Sequence, residues 1–501
     1  MVMKIKLASF NPLTADIRGN KEHIIALLKA PAPAADLLVL PEAALCGCPM
    51  LDLFEDERLL KETLSSLKEI AKETKNTACL LGFQDKLGKD FVSAAAFIYK
   101  GKITKIYDSE VVSLAGKDLQ IILGDLQDAP AQDADIIIHL SARPYEKGNV
   151  PERLDALKKF AKKRGVPVLE CNLLGGGDGL IFDGLCACAN KKGELTLLGE
   201  LFRERVSLWD SEEKSQPLTY KADPRGEVLD ALSFGLGDFV QKAGYSKVIF
   251  GLSGGLDSAV TAVLAASALG GESVYAVSLP SYCTSDLSKS LAGQLARNLG
   301  INLEEVAVKP VLEGMKNAVG HIVSHLKDVT EQKLHSRLRA NILFTLGGEY
   351  GAMPISTDDL SELSVGSCVL YGDTAGRLLP IGDVFKTELY DLAAYINKNR
   401  EIIPQGIIDR APTSELRPNQ KDEDTLPAYP LLDKIIPLYV AQGLTPQEIA
   451  RKCKAPLETV TDVCRRIDAA DYKRAQTAPI LKVTRRLFTD LQRPVTKKIN
   501  L

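Results

Sequence analysis

The sequence predicts an α/β protein built in two halves, and three features predict it. Apolar runs of strand length alternate with amphipathic helical stretches along the chain. Midway, "DSEEKSQPLTYKADPRGE" has prolines and charges but no apolar period, the mark of a linker. Beyond it, strand, helix and strand follow closely, which implies a parallel sheet covered on both faces. A chain of 501 residues has room for two or three domains. We place the domains at residues 1–208 and 226–501, with residues 209–225 as the linker.

In the first half, "KIKLASF" opens as a strand, "NKEHIIALLKA" follows as a helix, and "ADLLVLPEA" is a buried strand ending at Pro41-Glu42. "TACLLGF" is the next strand, and "SAAAFIYKGKITKIYD" reads as a hairpin. "LQIILGD" and "ADIIIHLSA" are further strands. "ERLDALKKFAKKRG" has helical spacing and stops at Gly165, after which "VPVLECN" returns to strand. Hairpins among strand–helix units predict mixed sheets. In the second half, "EVLDALSFGLGDFVQKAG" is a helix, "KVIFGLS" a strand, "DSAVTAVLAASALG" a helix and "SVYAVSLP" a strand.

Composition narrows the class. The chain is 45% hydrophobic and 25% charged, the profile of a soluble globular protein. A net charge of −3 gives no global basic field for nucleic acid or a membrane surface. No run reaches the roughly 18 apolar residues of a membrane span. "MVMKIKLASF" lacks the features of a secretory signal, so a cytoplasmic location with reduced thiols is expected. The pairs Cys46/Cys48 and Cys186/Cys188 have C-x-C spacing, off the usual zinc pattern, and are expected to be buried small side chains. His321 and His325 are expected on one face of a surface helix, without a third metal ligand. Trp209 is expected at the junction of the halves.

The stretch "IFGLSGGLDSAV" asks for more than a turn. In a βαβ unit, ligands sit at the carboxyl ends of the strands, where the next helix points bare N–H groups and the positive end of its dipole. Gly254 and Gly255 let the backbone approach a bound group, and Ser253 and Ser258 add hydroxyl donors. The pattern is a phosphate cradle, although it is neither G-x-x-x-x-G-K-[ST] nor G-x-G-x-x-G. The plainer alternative is a tight turn with Asp257 as helix cap.

This stretch resembles the pyrophosphate loop of the N-type ATP pyrophosphatases. "LPSYCTSDLS", "LYGDTAG", "PIGDVFKTELYDLA", "SELRPNQKDEDTLPAY" and "DYKRAQTAPILKVT" resemble, in that order, segments of NAD synthetase. "LPEAALCGCP", "HLSARPYEKGN" and "CNLLGGGDGLIFDG" resemble the nitrilase-type glutaminase domain that NAD synthetases often carry. The resemblance implies a nitrilase-like αββα sandwich followed by a doubly wound, Rossmann-like parallel-sheet domain of the adenine nucleotide α-hydrolase type. It implies a ligase that adenylates the nicotinate carboxylate of deamido-NAD with ATP, releases pyrophosphate, and then exchanges AMP for ammonia. Magnesium is the implied cofactor.

The family's roles fall on matching positions. Ser253, Gly254, Gly255 and Ser258 match the pyrophosphate loop, and Thr357 lines the same region. Asp257 and Glu362 match the magnesium ligands, and Lys386 matches a phosphate-binding lysine. Arg337 and Asp373 match positions at the deamido-NAD site. Where glutamine-dependent relatives read G-N-K-S-E, this chain has Asp358-Asp359-Leu360-Ser361-Glu362, nearer the D-H-A-A-E-like stretch of ammonia-using relatives.

The first half departs further. A nitrilase-type amidase needs a glutamate base, a lysine and a cysteine nucleophile. Glu42 matches the base, but Ser109 stands at the lysine and Leu123 at the cysteine, and the long loop after the lysine is much shortened. Cys46 lies on the Glu42 loop and is the alternative nucleophile. We therefore expect a glutaminase fold without glutaminase chemistry, retained for contacts between copies of the chain, with ammonia taken from solution or a separate source. Three other functions stay open at this point: a glutamine-dependent synthetase with a displaced nucleophile, a non-catalytic nucleotide-binding relative, and an ATP pyrophosphatase acting on another carboxylate.

Overall fold

The structure is a computed structural model that describes residues 2–30, 34–213, 216–413, 422–485 and 493–497. It divides into two units, Met1–Pro224 and Arg225–Leu501. Residues 414–421, which begin the segment "SELRPNQKDEDTLPAY", lie outside the described residues. No helix among the described residues is long and apolar enough to cross a membrane.

The first unit is built on two six-stranded mixed sheets. One runs Val206–Asp210, Lys4–Ala8, Leu37–Val39, Ala78–Leu87, Asp90–Tyr99, Lys102–Ile106. Its three inner strands from Lys4 to Leu87 are parallel and its other pairings antiparallel. The other sheet runs Leu195–Leu198, Cys186–Ala189, Val168–Asn172, Ile136–Ser141, Lys117–Ile122, Ser109–Leu114. Strand alternation explains the layering. Leu7, Val39 and Leu80 of the first sheet share one buried cluster with Ile121, Ile138 and Leu169 of the second. Their neighbours Leu38, Cys79 and Leu81 face the other way and pack with residues of helices Ile17–Lys29 and Glu57–Glu73. Helix Asn149–Arg164 packs on the second sheet and ends at Gly165, whose φ of 72° suits a glycine. The layers are helix, sheet, sheet, helix.

Several expectations change here. Trp209 is buried in the sandwich core, as the penultimate residue of the edge strand Val206–Asp210. That strand holds the first two residues that the sequence reading gave to the linker. His321 and His325 lie in the connection between helices Lys309–Val319 and Asp328–Tyr350, so they share no helix face. Cys46, Cys186 and Cys188 are buried and Cys48 is half-buried.

The second unit has a four-stranded parallel sheet in the order Asn302–Glu305, Val274–Ser278, Val248–Gly251, Met353–Pro354. Val248–Gly251 feeds the helix Leu256–Leu269, which is apolar on most faces and buried accordingly. Helix Lys386–Ile396 packs against it. Helices Tyr429–Val440, Pro446–Cys453 and Leu457–Ala469 form a separate apolar cluster with Leu360–Val365.

Candidate active site

The site begins where the inner strand Val248–Gly251 ends. Gly254 has φ 77°, and a Cβ there would sit 2.4 Å from the Ser288 carbonyl oxygen, so no other residue fits without movement. Ser258 shapes the turn: its Oγ accepts the Ser253 N–H at 3.3 Å and donates to the Gly255 carbonyl at 3.1 Å. Ser253 Oγ accepts the Gly255 N–H at 3.2 Å. Helix Leu256–Leu269 starts after Gly255 with no side-chain cap, which leaves its head open to an anion.

Asp257 therefore does not cap the helix. Its Oδ1 accepts from Lys386 Nζ at 2.7 Å. Lys386 is the first residue of its helix, and its side chain is 1% exposed. The same Nζ lies 2.9 Å from Asp359 Oδ2 and 3.3 Å from Glu362 Oε1. Local sequence holds the two acids in place. Asp359 caps helix Leu360–Val365, with Oδ1 accepting the Glu362 N–H at 2.9 Å, while Glu362 Oε2 accepts the Asp359 N–H at 3.4 Å.

The electrostatics follow from the count of charges. Burial alone would lower the Lys386 ammonium, but Asp257, Asp359 and Glu362 together hold it well above the usual lysine range. Burial, only partly countered by Lys386, pushes Asp359 up to about 7 and Glu362 well above the carboxylate range. Burial and the neighbouring Asp373 and Asp359 push Asp358 well up. Asp373 rises to about 6 by burial, although its Oδ1 accepts the N–H groups of Val369 and Thr374 at 2.5 and 3.0 Å. One ammonium cannot neutralise this many carboxylates.

Ser253, Gly255, Asp257, Thr357, Glu362, Asp373 and Lys386 line one cleft at the carboxyl ends of the strands. Gly254 and Ser258 support the loop from behind. Arg337 is not in the cleft: it lies on the exposed side of its helix, where Nε donates to the Leu370 carbonyl at 3.2 Å. Arg339 lines the cleft instead, with Ser336, Ala340 and Leu343. Asp358 also lines it, and Asp359 sits behind Lys386. These residues were not among the sequence-predicted ligands. Ser336, Arg339, Ala340 and Leu343 follow one helix face at i, i+3, i+4, i+7, but which face meets the cleft is set by the fold and not by the local sequence. Oxygens of Asp257, Asp359 and Glu362 lie within 4.8 Å of one another, a hard donor set that fits Mg²⁺.

Two of the three matched positions of the first unit are neighbours: Ser109 pairs with Ile122, and the Leu123 N–H donates to the Asp108 carbonyl at 2.9 Å. Glu42 Oε1 accepts from Ser93 Oγ at 2.7 Å. Ser109 Oγ accepts from Gln120 Nε2 at 2.8 Å and donates to Gln132 Oε1 at 3.3 Å. Leu123 belongs to the sandwich core. Strands Ser109–Leu114 and Lys117–Ile122 are joined by Ala115 and Gly116 alone, both at positive φ, where the resemblance expects a long loop. Cys46 lies in the helix-side cluster, its Sγ accepting the Gln84 N–H at 3.2 Å. Burial pushes its thiol up to about 11, the reverse of an activated nucleophile.

Comparison with known proteins adds to this geometry. Residues 228–477 match the NAD synthase family model. The chain is 34% identical to the glutamine-dependent NAD(+) synthetase of Thermotoga maritima, over 99% of both chains. It is also 34% identical to the enzyme of the same name from a Synechocystis species, over 97% of this chain and 96% of the relative. The Thermotoga alignment spans 570 positions against the 501 residues of this chain, so the chain lacks many positions that the relative carries. Among solved structures, it is similar to the glutamine-dependent NAD+ synthetase of Acinetobacter baumannii in complex with ADP: TM-score 0.77, 27% identity, 99% of this chain and 98% of that one. The fold is also that of the Cytophaga hutchinsonii synthetase, at TM-score 0.83 and 19% identity over 96% and 94% of the two chains.

Proposed function

We infer that this chain, which belongs to the NAD synthetase family of ligases that form a carbon–nitrogen bond, converts deamido-NAD to NAD with ATP and takes its nitrogen from free ammonia. The observation that carries the first part is the cleft, where an uncapped helix head, Ser253 and a buried lysine meet a cluster of carboxylates. A carboxylate is a poor electrophile toward ammonia. Adenylation makes it a mixed anhydride with AMP as leaving group. In this reading the loop N–H groups and Ser253 hold the departing pyrophosphate, and Lys386 turns its ammonium toward the phosphates. Asp257 and Glu362 would hold Mg²⁺, which supplies charge neutralisation as two anions approach. Arg339, which lines the cleft, would take the role expected of Arg337 and meet a phosphate or carboxylate of the substrates.

The nitrogen source rests on the first unit. Leucine cannot form a thioester, and Leu123 stands where the resemblance puts the nucleophile, with Ser109 in place of the lysine. Cys46 faces away in an apolar cluster. A second reading, hydrolysis of glutamine by a displaced nucleophile, draws its support from relatives named glutamine-dependent along nearly the whole chain. One experiment separates them: NAD formation from deamido-NAD, ATP and Mg²⁺ with ammonium or glutamine as sole nitrogen source. Ammonium is expected to support turnover and glutamine none. Glutamine turnover that Cys46→Ala or Cys48→Ala abolishes would establish the second reading. Release of AMP and pyrophosphate without deamido-NAD would point to another acid.

A further inference from the structure

Lys386 is itself a cation inside a cation site. Its Nζ lies within 3.3 Å of one oxygen from each of Asp257, Asp359 and Glu362, and those acids offer oxygens within 4.8 Å of one another. One ammonium faces three carboxyl groups, two of them partly exposed. Beside them Asp358 is buried, lines the same cleft, and has an Oδ2 with no hydrogen-bond partner. Asp359 is fully buried, and its Oδ2 meets the ammonium without hydrogen-bond geometry. Asp359 stands where the resembling patterns G-N-K-S-E and D-H-A-A-E have an asparagine or a histidine.

We propose that Asp359 is a third carboxylate ligand for the divalent cation, and that Lys386 holds the place of that cation until nucleotide binds. The inference rests on the nucleotide position given above. An ion bonded to the same three oxygens would overlap the ammonium, so the two cations exclude each other. Phosphate oxygens arriving at the head of helix Leu256–Leu269 offer Lys386 new anionic partners. Once Lys386 turns to them, the three clustered carboxylates lose their counter-charge, and their affinity for a divalent ion rises. Nucleotide and cation then bind with positive coupling, because each removes the obstacle to the other.

Mn²⁺ titration of the full chain, read by the electron paramagnetic resonance of the free ion, tests this without turnover. Without nucleotide, Lys386→Met is expected to bind Mn²⁺ at least about tenfold more tightly than the unmodified chain, at one site. Adding Asp359→Asn to that variant is expected to lose about tenfold or more. Lys386→Met binding no more tightly than the unmodified chain would overturn the exchange. A double variant as tight as the single one would overturn the role of Asp359. Lys386→Gln serves the same comparison if the Met variant does not unfold cooperatively, and Mn²⁺-dependent thermal stabilisation gives a second measure of the same site. If Lys386→Met gains the site while the unmodified chain makes no NAD, the activity reading falls and the cation exchange stands.

Discussion

Each unit buries one cation among carboxylates, and the two do it differently. In the sandwich, Arg153 donates to Asp183 at 2.5 Å and to Glu170 at 2.8 Å. Asn172 and the Leu185 N–H also donate to Asp183 Oδ1. A planar guanidinium with fixed donors satisfies two acids at once. Burial would raise Glu170, but Arg153 and His139 hold it below the usual range. In the second unit Lys386, a point charge on a flexible stem, faces a surplus of acids, and burial pushes Asp359 and Glu362 up instead. The first arrangement is closed, with both acids held by hydrogen bonds, which suits a clamp. The second is unbalanced and opens on a cleft, which suits exchange of ions and phosphates.

Substitutions sharpen this contrast. Asp257→Ala should produce the largest effect, a loss of about 10²–10³-fold or more in kcat for pyrophosphate release with deamido-NAD, ammonium and Mg²⁺. Arg153→Met should act on stability instead. It strands two buried carboxylates and should cost about 3–5 kcal/mol in urea unfolding; a cost near that of a surface change would break the comparison. Gly254→Ala should cost about 1–3 kcal/mol from its left-handed backbone and the blocked contact with Ser288, and should weaken ATP binding in calorimetry.

The smallest effect separates the units by pH. Glu170 has a lowered folded pKa, so its stabilisation is present above its unfolded value and is lost as pH falls through the folded one. Asp359, Asp373 and Asp383 have raised folded values, about 7, 6 and 6, chiefly by burial. Their neutral forms are favoured in the fold, so the second unit should gain stability as pH falls from about 7.5 toward 5. Asp383 alone should contribute about 1 kcal/mol. Hydrogen exchange, corrected for intrinsic rates, should show slower opening of residues 225–485 at pH 5 than at pH 7.5, without that gain in the sandwich. Equal gains in both units would remove the electrostatic distinction.

Much of this was legible in the sequence because strands and helices here follow their periods. The strands and helices read between "KIKLASF" and "VPVLECN" form as read, since each strand has apolar residues on one or both faces and each helix has a stripe, but helix Glu57–Glu73 and strand Ser109–Leu114 went unread. The loop "SGGLDS" was legible because the turn into the helix takes Gly254 to a positive φ, which glycine adopts without strain. The rest depends on distant partners. Asp359 reads locally as a helix cap, which it is, and only the fold brings Lys386 against its other oxygen. Choosing Arg339 over Arg337 needs the side of the helix that faces the cleft. His321 and His325 have helical spacing, but the helix before them ends at Val319. Trp209 lies next to a polar stretch, yet strand pairing with Ile5 draws it into the sandwich.

The packing of Leu123 has a corollary. Its isobutyl group fills space between the sheets, so putting a thiol there removes core volume at a cost on the order of 2 kcal/mol. The new sulfur would face apolar neighbours, with no lysine at position 109 and a tight turn where a loop should close. On the reading that the nitrogen comes from free ammonia, a thiol at position 123, a lysine at position 109 and a longer loop would all be needed together for a nitrilase-type site, so no single substitution would supply one.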